Sequence, residues 1–197
     1  MTNGNTETRL VGSTMGELDG FGGAQWLKAG LDVLEKEGSA RVPVDVLATH
    51  FGISKAAFYT KFKSRREFFD KTLEHWMREA TEEFFSNPKL RALPPKDRLT
   101  KFARLMMNPD LARYEVTIAQ LALQDETVAR AIHEVNRARF DFVHAALEEL
   151  GIDRDDLEMR ARMFTCYVAW AGPMFRDMSL KRLRGLIGKQ VEILTSQ

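Results

Sequence analysis

The sequence has no long uninterrupted apolar run, no alternating apolar and polar segment and no pair of cysteines, and each absence removes a class of protein. Charge breaks every apolar stretch within a few residues, so no membrane span is expected. The N-terminus lacks the basic and apolar blocks of a secretory signal, which makes a cytoplasmic address the expectation. The single cysteine, Cys166, cannot form an internal disulfide, and with no histidine and acid arranged around it reads as a buried structural thiol. A glycine-rich phosphate loop, a nucleophile elbow, a zinc-binding helix motif and a singled-out carboxylate pair are all missing, so neither an enzyme nor a cofactor is expected. His133 and His144 are eleven residues apart with no carboxylate and cysteine set to complete a metal site.

Apolar residues make up 44% of the 197, enough for a true core in one domain or two small ones. The net charge of +1 conceals an asymmetry. Between Ser39 and Arg66 six bases (Arg41, Lys55, Lys61, Lys63, Arg65 and Arg66) stand against Asp45 alone, so this stretch is +5 and the rest of the chain −4. A compact basic unit on an acidic chain suits a polyanionic partner.

Residues 1–22 hold five glycines among polar residues without a sustained period and read as a flexible tail. With Arg9 as its only base, the tail is not a minor-groove arm. Beyond it nearly every segment repeats at helical spacing. Leu27, Leu31 and Leu34 form a stripe ended by Gly38. A second helix spans about Pro43 to His50, Gly52 breaks the chain, and Ser54 is placed to cap a third helix through Phe62. Ser64 with Glu67 is a capping-box signature for a long fourth helix with the stripe Phe69, Leu73, Trp76, Ala80 and Phe84, closed by Asn87 and Pro88. Further helices are expected at roughly 95–107, 110–123, 125–150, 154–176 and 179–195. The expected fold is therefore all-α. A tail (1–22) precedes a helix-turn-helix domain with its connecting helix (23–86), and a larger helical bundle (87–197) follows.

Residues 47–69, LATHFGISKAAFYTKFKSRREFF, meet the demands of a helix-turn-helix. Ala48 is small where two helices cross, Gly52 allows the reversal, and Leu47, Phe51, Ile53, Phe58 and Phe62 fall at the spacing that buries them together. The open face of the third helix then carries Lys55, Ala56, Tyr59, Thr60 and Lys61. Such a face suits a major groove, with Tyr59 and Lys61 on phosphates and Thr60 or Lys55 at base edges. Ser54 and the flanking bases Arg41, Lys63 and Arg65 complete the candidate DNA contacts.

The stretch GSARVPVDVLATHFGISKAAFYTKFKSRREFF resembles the DNA-binding domain of the tetracycline-repressor family of bacterial transcription regulators. In that family a glycine ends the first helix, an "IA" pair sits in the second, and "GVSKGTLYHHFKSKEEL" follows. The matching residues are Gly38, Leu47 with Ala48, Gly52, Ile53, Ser54, Lys55, Phe58, Tyr59, Phe62, Ser64, Arg65 and Glu67, and the close match covers residues 23 to about 76. The resemblance implies a homodimer on a double-stranded, palindromic operator, a C-terminal domain that binds an effector, and repression relieved by that effector. Pro43 stands where the family usually has threonine or serine, Ala56 and Ala57 replace glycine and threonine, and Lys61 replaces histidine. These departures leave phosphate binding intact and bear on sequence preference. Charge alone leaves one alternative open, an all-helical interaction module whose basic unit binds an acidic protein.

In the segment 154–176, Leu157, Ala161, Phe164, Val168, Ala171 and Phe175 form one apolar stripe and Met163, Tyr167, Trp170 and Met174 a second. Two stripes exceed what one core needs, so a second subunit is the expected cover. The last helix adds Leu180, Leu183, Ile187, Val191 and Leu194, with Gly185 and Gly188 permitting close approach. Phe164, Val168, Leu180, Leu183, Ile187 and Val191 are the expected dimer contacts, in a four-helix interface. Trp76, Met106, Met107, Tyr114, Gln120, Phe140, His144 and Trp170 are candidates to line a pocket for a small, mainly apolar effector.

Overall fold

A computed structural model of the chain describes residues 23–38, 42–81, 85–175 and 177–196. The described residues form ten helices and no strand, the all-α architecture that the spacing predicts. The chain divides between Thr72 and Leu73 into two compact units. That division falls inside the fourth helix rather than after it at residue 86. The expected tail, residues 1–22, lies outside the described residues.

The N-terminal unit holds α1 (Gly23–Glu37), α2 (Val44–Phe51), α3 (Lys55–Lys61) and the first half of α4 (Arg65–Ala80). Its core gathers Trp26, Val33, Val42, Leu47, Phe51, Phe58, Phe62 and Phe68. The rings meet edge-on or tilted at centroid distances from 4.6 Å (Trp26 and Phe51) to 6.1 Å (Trp26 and Phe62), the geometry that aromatic quadrupoles favour. Leu27 and Ile53, both expected inside, are only half-buried, and Trp26 takes the central place on α1. Gly38 ends α1 with φ 61°, a left-handed conformation that costs a side-chain-bearing residue energy. Gly30 has a different reason. A Cβ built on it would lie 2.7 Å from Phe68 Cζ and from Thr72 Oγ1, so α1 and α4 approach too closely for any side chain there.

The C-terminal unit continues with α5 (Pro88–Arg91), α6 (Pro95–Met106), α7 (Pro109–Ala122), α8 (Glu126–Glu149), α9 (Arg154–Met174) and α10 (Leu180–Leu194). Asn87 does not close α4 but opens α5, its side chain accepting the Lys89 N–H at 3.0 Å. Asp125, Asp153 and Ser179 cap α8, α9 and α10 by accepting from Thr127, Asp155 and Arg182, so each start has a local signal in the sequence. α6, α8, α9 and α10 share one core, in which Leu99, Phe102, Val143, Ala146, Leu147, Ala161, Phe164, Val168, Leu183 and Ile187 are buried. Arg160 on α9 bonds Asp156 at 2.7 Å and donates to the Leu194 carbonyl at 3.0 Å, satisfying an orphan acceptor at the end of α10. No described helix is long and apolar enough to cross a membrane.

Cys166 is exposed, not the buried thiol expected. The stripe Ala161, Phe164, Val168 and Ala171 turns inward, and Cys166 falls on the opposite side of α9 with Met163 and Trp170.

Candidate nucleic-acid interface

Local backbone chemistry shapes the helix-turn-helix. Gly52 adopts φ 64° and ends α2, while the Ile53 N–H returns to the Ala48 carbonyl at 2.9 Å. This glycine-terminated reversal turns the chain sharply. Pro43 precedes α2 with φ −61° and supplies no side-chain cap. Ser54 caps α3, its hydroxyl accepting the Ala57 N–H at 3.1 Å. Phe58 is fully buried and anchors α3 to the aromatic core, and that anchor determines which side chains of the seven-residue helix face solvent.

Those are the side chains singled out above. Lys55, Ala56, Tyr59, Thr60 and Lys61 are exposed, with Ser54 at the head of the helix and Lys63 just beyond it, and Arg65 is partly buried at the start of α4. Tyr59 is 52% exposed although its ring meets Phe58 edge-on at 5.5 Å, so the phenol points away from the core. Thr60 donates its hydroxyl to the Ala57 carbonyl at 2.7 Å and keeps acceptor capacity. Lys61 Nζ lies 5.4 Å from the centre of the Trp26 ring on α1, a cation–π contact that limits its sweep. Lys55 is paired with Asp45 of α2 at 2.5 Å. Arg41 lies outside the described residues.

Behind α3, the Ser64 hydroxyl accepts the Glu67 N–H at 3.0 Å, as the capping-box signature predicts. The reciprocal bond shifts by one residue, since Glu67 accepts from the Lys63 N–H at 2.6 Å. This bond, then the Lys71 ammonium, holds the Glu67 carboxyl below the ordinary glutamate range.

The candidate effector residues differ in burial. Met106 and Met107 belong to the main core of the C-terminal unit, Trp76 and Tyr114 are buried, and Phe140 and His144 are half-buried with rings 5.5 Å apart. Gln120 is exposed and Trp170 is 37% exposed. A groove of about 300 Å³ lies in the N-terminal unit, lined by Val33, Lys36 and Glu37 of α1 and Asp45, Val46, Thr49 and His50 of α2.

The expected dimer contacts need correction. Phe164, Val168, Leu183, Ile187 and Val191 are all buried within one chain, and of the six only Leu180, at 39%, is exposed. The stripe chosen for a partner is the one that closes the intramolecular core. What it leaves outside is most of the second stripe, Met163, Trp170 and Met174, with Met159 beside them on α9 and Leu186 and Ile193 on α10, whereas Tyr167 of that stripe is half-buried against the core. The space above Gly185 and Gly188 is open.

One feature of the C-terminal unit was not anticipated, the buried pair of Glu115 on α7 and Arg139 on α8. A signal existed. Arg139 continues the register Val128, Ala131, Val135 and leads to Val143 and Ala146, a cation inside an apolar stripe that requires an internal partner.

Residues 27–72 match the model for bacterial regulatory proteins of the tetR family. Over this segment the chain is similar to the tetR family. The match spans α1 to the middle of α4, the helix-turn-helix unit whose open α3 face is given above. The fold of both units recurs in solved structures. A Rhodococcus sp. transcriptional regulator assigned to the TetR family superposes with a TM-score of 0.70 at 18% identity, over 87% of this chain and 97% of its own. A transcriptional regulator from Rhodococcus sp. Rha1 gives 0.68 at 18% identity, over 88% and 96%. FadR from Bacillus subtilis, solved in complex with stearoyl-CoA, gives 0.63 at 17% identity, over 87% and 97%. No curated protein sequence matches the chain significantly.

Proposed function

We propose that the protein is a dimeric transcriptional repressor that binds a palindromic operator through α3 of each subunit and is released by a small, mainly apolar effector. The observation that carries this reading is the division of α3. Phe58 fixes the helix to the core while Lys55, Ala56, Tyr59, Thr60 and Lys61 remain in solvent. Small residues let the helix approach a groove floor, Thr60 and Lys55 reach base edges, and Tyr59, Lys61 and Lys63 hold phosphates.

A palindrome requires two copies, and the outward apolar side chains of α9 and α10 are the natural cover for one another across a two-fold axis. Cys166 lies on that face and is the chain's one thiol. For the effector, FadR of similar fold was solved with stearoyl-CoA, whose long acyl chain favours a ligand with a substantial apolar part. α4 carries residues of both units, so a ligand packed near Trp76 shifts the spacing of the two α3 helices and weakens operator binding. By linkage the operator weakens effector binding by the same factor.

Selection of bound duplexes from a random library tests the central claim. Recovery of an inverted repeat with half-sites about one helical turn apart is the expected result. Enrichment of no sequence, or of a single unrepeated half-site, overturns it.

A further inference from the structure

Asp45 is the one acid between Val42 and Arg66, in a stretch otherwise rich in bases. Its carboxylate stands 2.5 Å from Lys55 Nζ, and the two side chains are 63% and 59% exposed. Stability does not explain the pair. An ion pair this exposed contributes little to folding, and the α3 N-terminus that Lys55 begins is already capped by Ser54.

The pair acts where α3 meets DNA. Lys55 is the first residue of α3, and the N-terminal residues of a recognition helix are the ones that reach base edges. A free lysine there would bind any phosphate within the sweep of its stem and release a counterion on every sequence. The carboxylate of Asp45 cancels that charge toward the backbone and fixes the ammonium in place. An ammonium has three donors. With one given to Asp45, two remain to reach base-edge acceptors such as O6 and N7 of guanine, which only the right sequence presents in the right place.

We infer that Asp45 is a specificity-determining residue: acting through Lys55, it lowers affinity for arbitrary DNA more than affinity for the operator. The inference rests on the reading of α3 as the recognition helix. Its consequence is that removing an acid from the interface improves binding and harms discrimination.

The test compares wild-type protein, Asp45→Asn and the double variant Asp45→Asn with Lys55→Gln on two duplexes, each titrated over a range of potassium chloride by fluorescence anisotropy. One duplex is a random 30-base-pair sequence, and the other is the tightest duplex recovered by selection with wild-type protein. Asparagine keeps the shape of Asp45, and unchanged thermal unfolding excludes a folding defect. For Asp45→Asn the expected result is roughly tenfold tighter binding to the random duplex, a salt slope steeper by about one per subunit, and a gain of under about threefold on the selected duplex. In the double variant the slope on the random duplex returns to the wild-type value. Equal tightening on both duplexes overturns the inference, as does a slope that stays steep without Lys55. If wild-type protein binds neither duplex, the recognition-helix reading itself fails; if it binds both and Asp45→Asn changes nothing, only the inference fails.

Discussion

Arg139 donates its two terminal nitrogens to the two carboxylate oxygens of Glu115 at 2.6 and 3.0 Å, a bidentate bridge in which both side chains are nearly inaccessible to water. The bridge joins α7 to α8 inside the C-terminal unit. Removing Glu115 leaves the buried Arg139 charge with only the long, neutral hydrogen bond to Asn136 Oδ1 at 3.4 Å against its desolvation, whereas replacing both partners removes the cost and the gain together. Glu115→Ala is expected to lose about 3–5 kcal/mol of stability. The double substitution Glu115→Leu with Arg139→Met should fall within about 1–2 kcal/mol of wild type, on either side. Urea unfolding of the three proteins decides; a Glu115→Ala loss no larger than that of the double variant would mean that the pair is not buried in solution.

Gly30→Ala sets two effects against each other. Alanine in a helix interior is favoured over glycine by about 1 kcal/mol. The new methyl, however, would sit 2.7 Å from Phe68 Cζ and Thr72 Oγ1. Thr72 is fully buried and its hydroxyl donates to the Phe68 carbonyl at 2.8 Å, so it cannot swing aside without breaking that bond. Overpacking costs about 1–3 kcal/mol and should win. A lower melting temperature is the expected outcome, and a higher one would show that α1 and α4 separate readily.

What could be read in advance follows from where each signal resides. Ser54, Gly52, Gly38 and Ser64 act on backbone within a few residues of themselves, so a short stretch of sequence sufficed to place them, and with them the open face of α3. Phe164 and Met163 lie on neighbouring strips of α9, both apolar, and periodicity alone does not say which strip the chain's own core takes; burial of Phe164 and exposure of Met163 decide it. Asp45 and Lys55 are ten residues apart across a turn, and Glu115 and Arg139 on separate helices. Such pairs become visible only once the helices are packed.

Glu67 gives the N-terminal unit a pH dependence of known sign. Its carboxyl is held below the ordinary glutamate value of 4.5, first by the Lys63 N–H and then by Lys71. A depressed folded-state pKa stabilises fully above the unfolded value, and that stabilisation is lost as pH falls through the folded one. Between pH 7 and 5 the contribution should therefore be constant, declining only below about 4.5. Glu67→Gln should be less stable than wild type at pH 7, and the difference should shrink on acidification. A difference that widened toward pH 3 would mean that the carboxylate is not the acceptor.

Lys61→Ala should weaken binding to every duplex alike and flatten the salt slope, because a phosphate contact releases counterions without reading sequence. Relaxed preference at one base position with an unchanged slope would move Lys61 to the base edges. Tyr59→Phe isolates the hydroxyl, since the ring's contact with Phe58 is retained. Weaker binding to all duplexes is again expected, and no change would leave Tyr59 a surface side chain of the core.

Burial separates two substitutions on the last helix that the apolar pattern treats as alike. Leu183 is 1% exposed and Ile193 is 64% exposed, so glutamate at the first places a charge in the chain's own core and at the second on its outer face. Leu183→Glu should unfold the C-terminal unit, at a cost of several kcal/mol for an unpaired buried carboxylate. Ile193→Glu and Met163→Glu should instead keep the helical circular dichroism of wild type, sediment as monomers and bind the selected operator far more weakly, because a monomer holds only one half-site. A short bifunctional maleimide offers an independent reading, since Cys166 lies between Met163 and Trp170 on the same face. It should join two wild-type chains and fail with Met163→Glu at equal protein concentration. If Ile193→Glu and Met163→Glu both remain dimers, the outward face of α9 and α10 is not the interface, and the two copies that a palindrome needs must meet elsewhere.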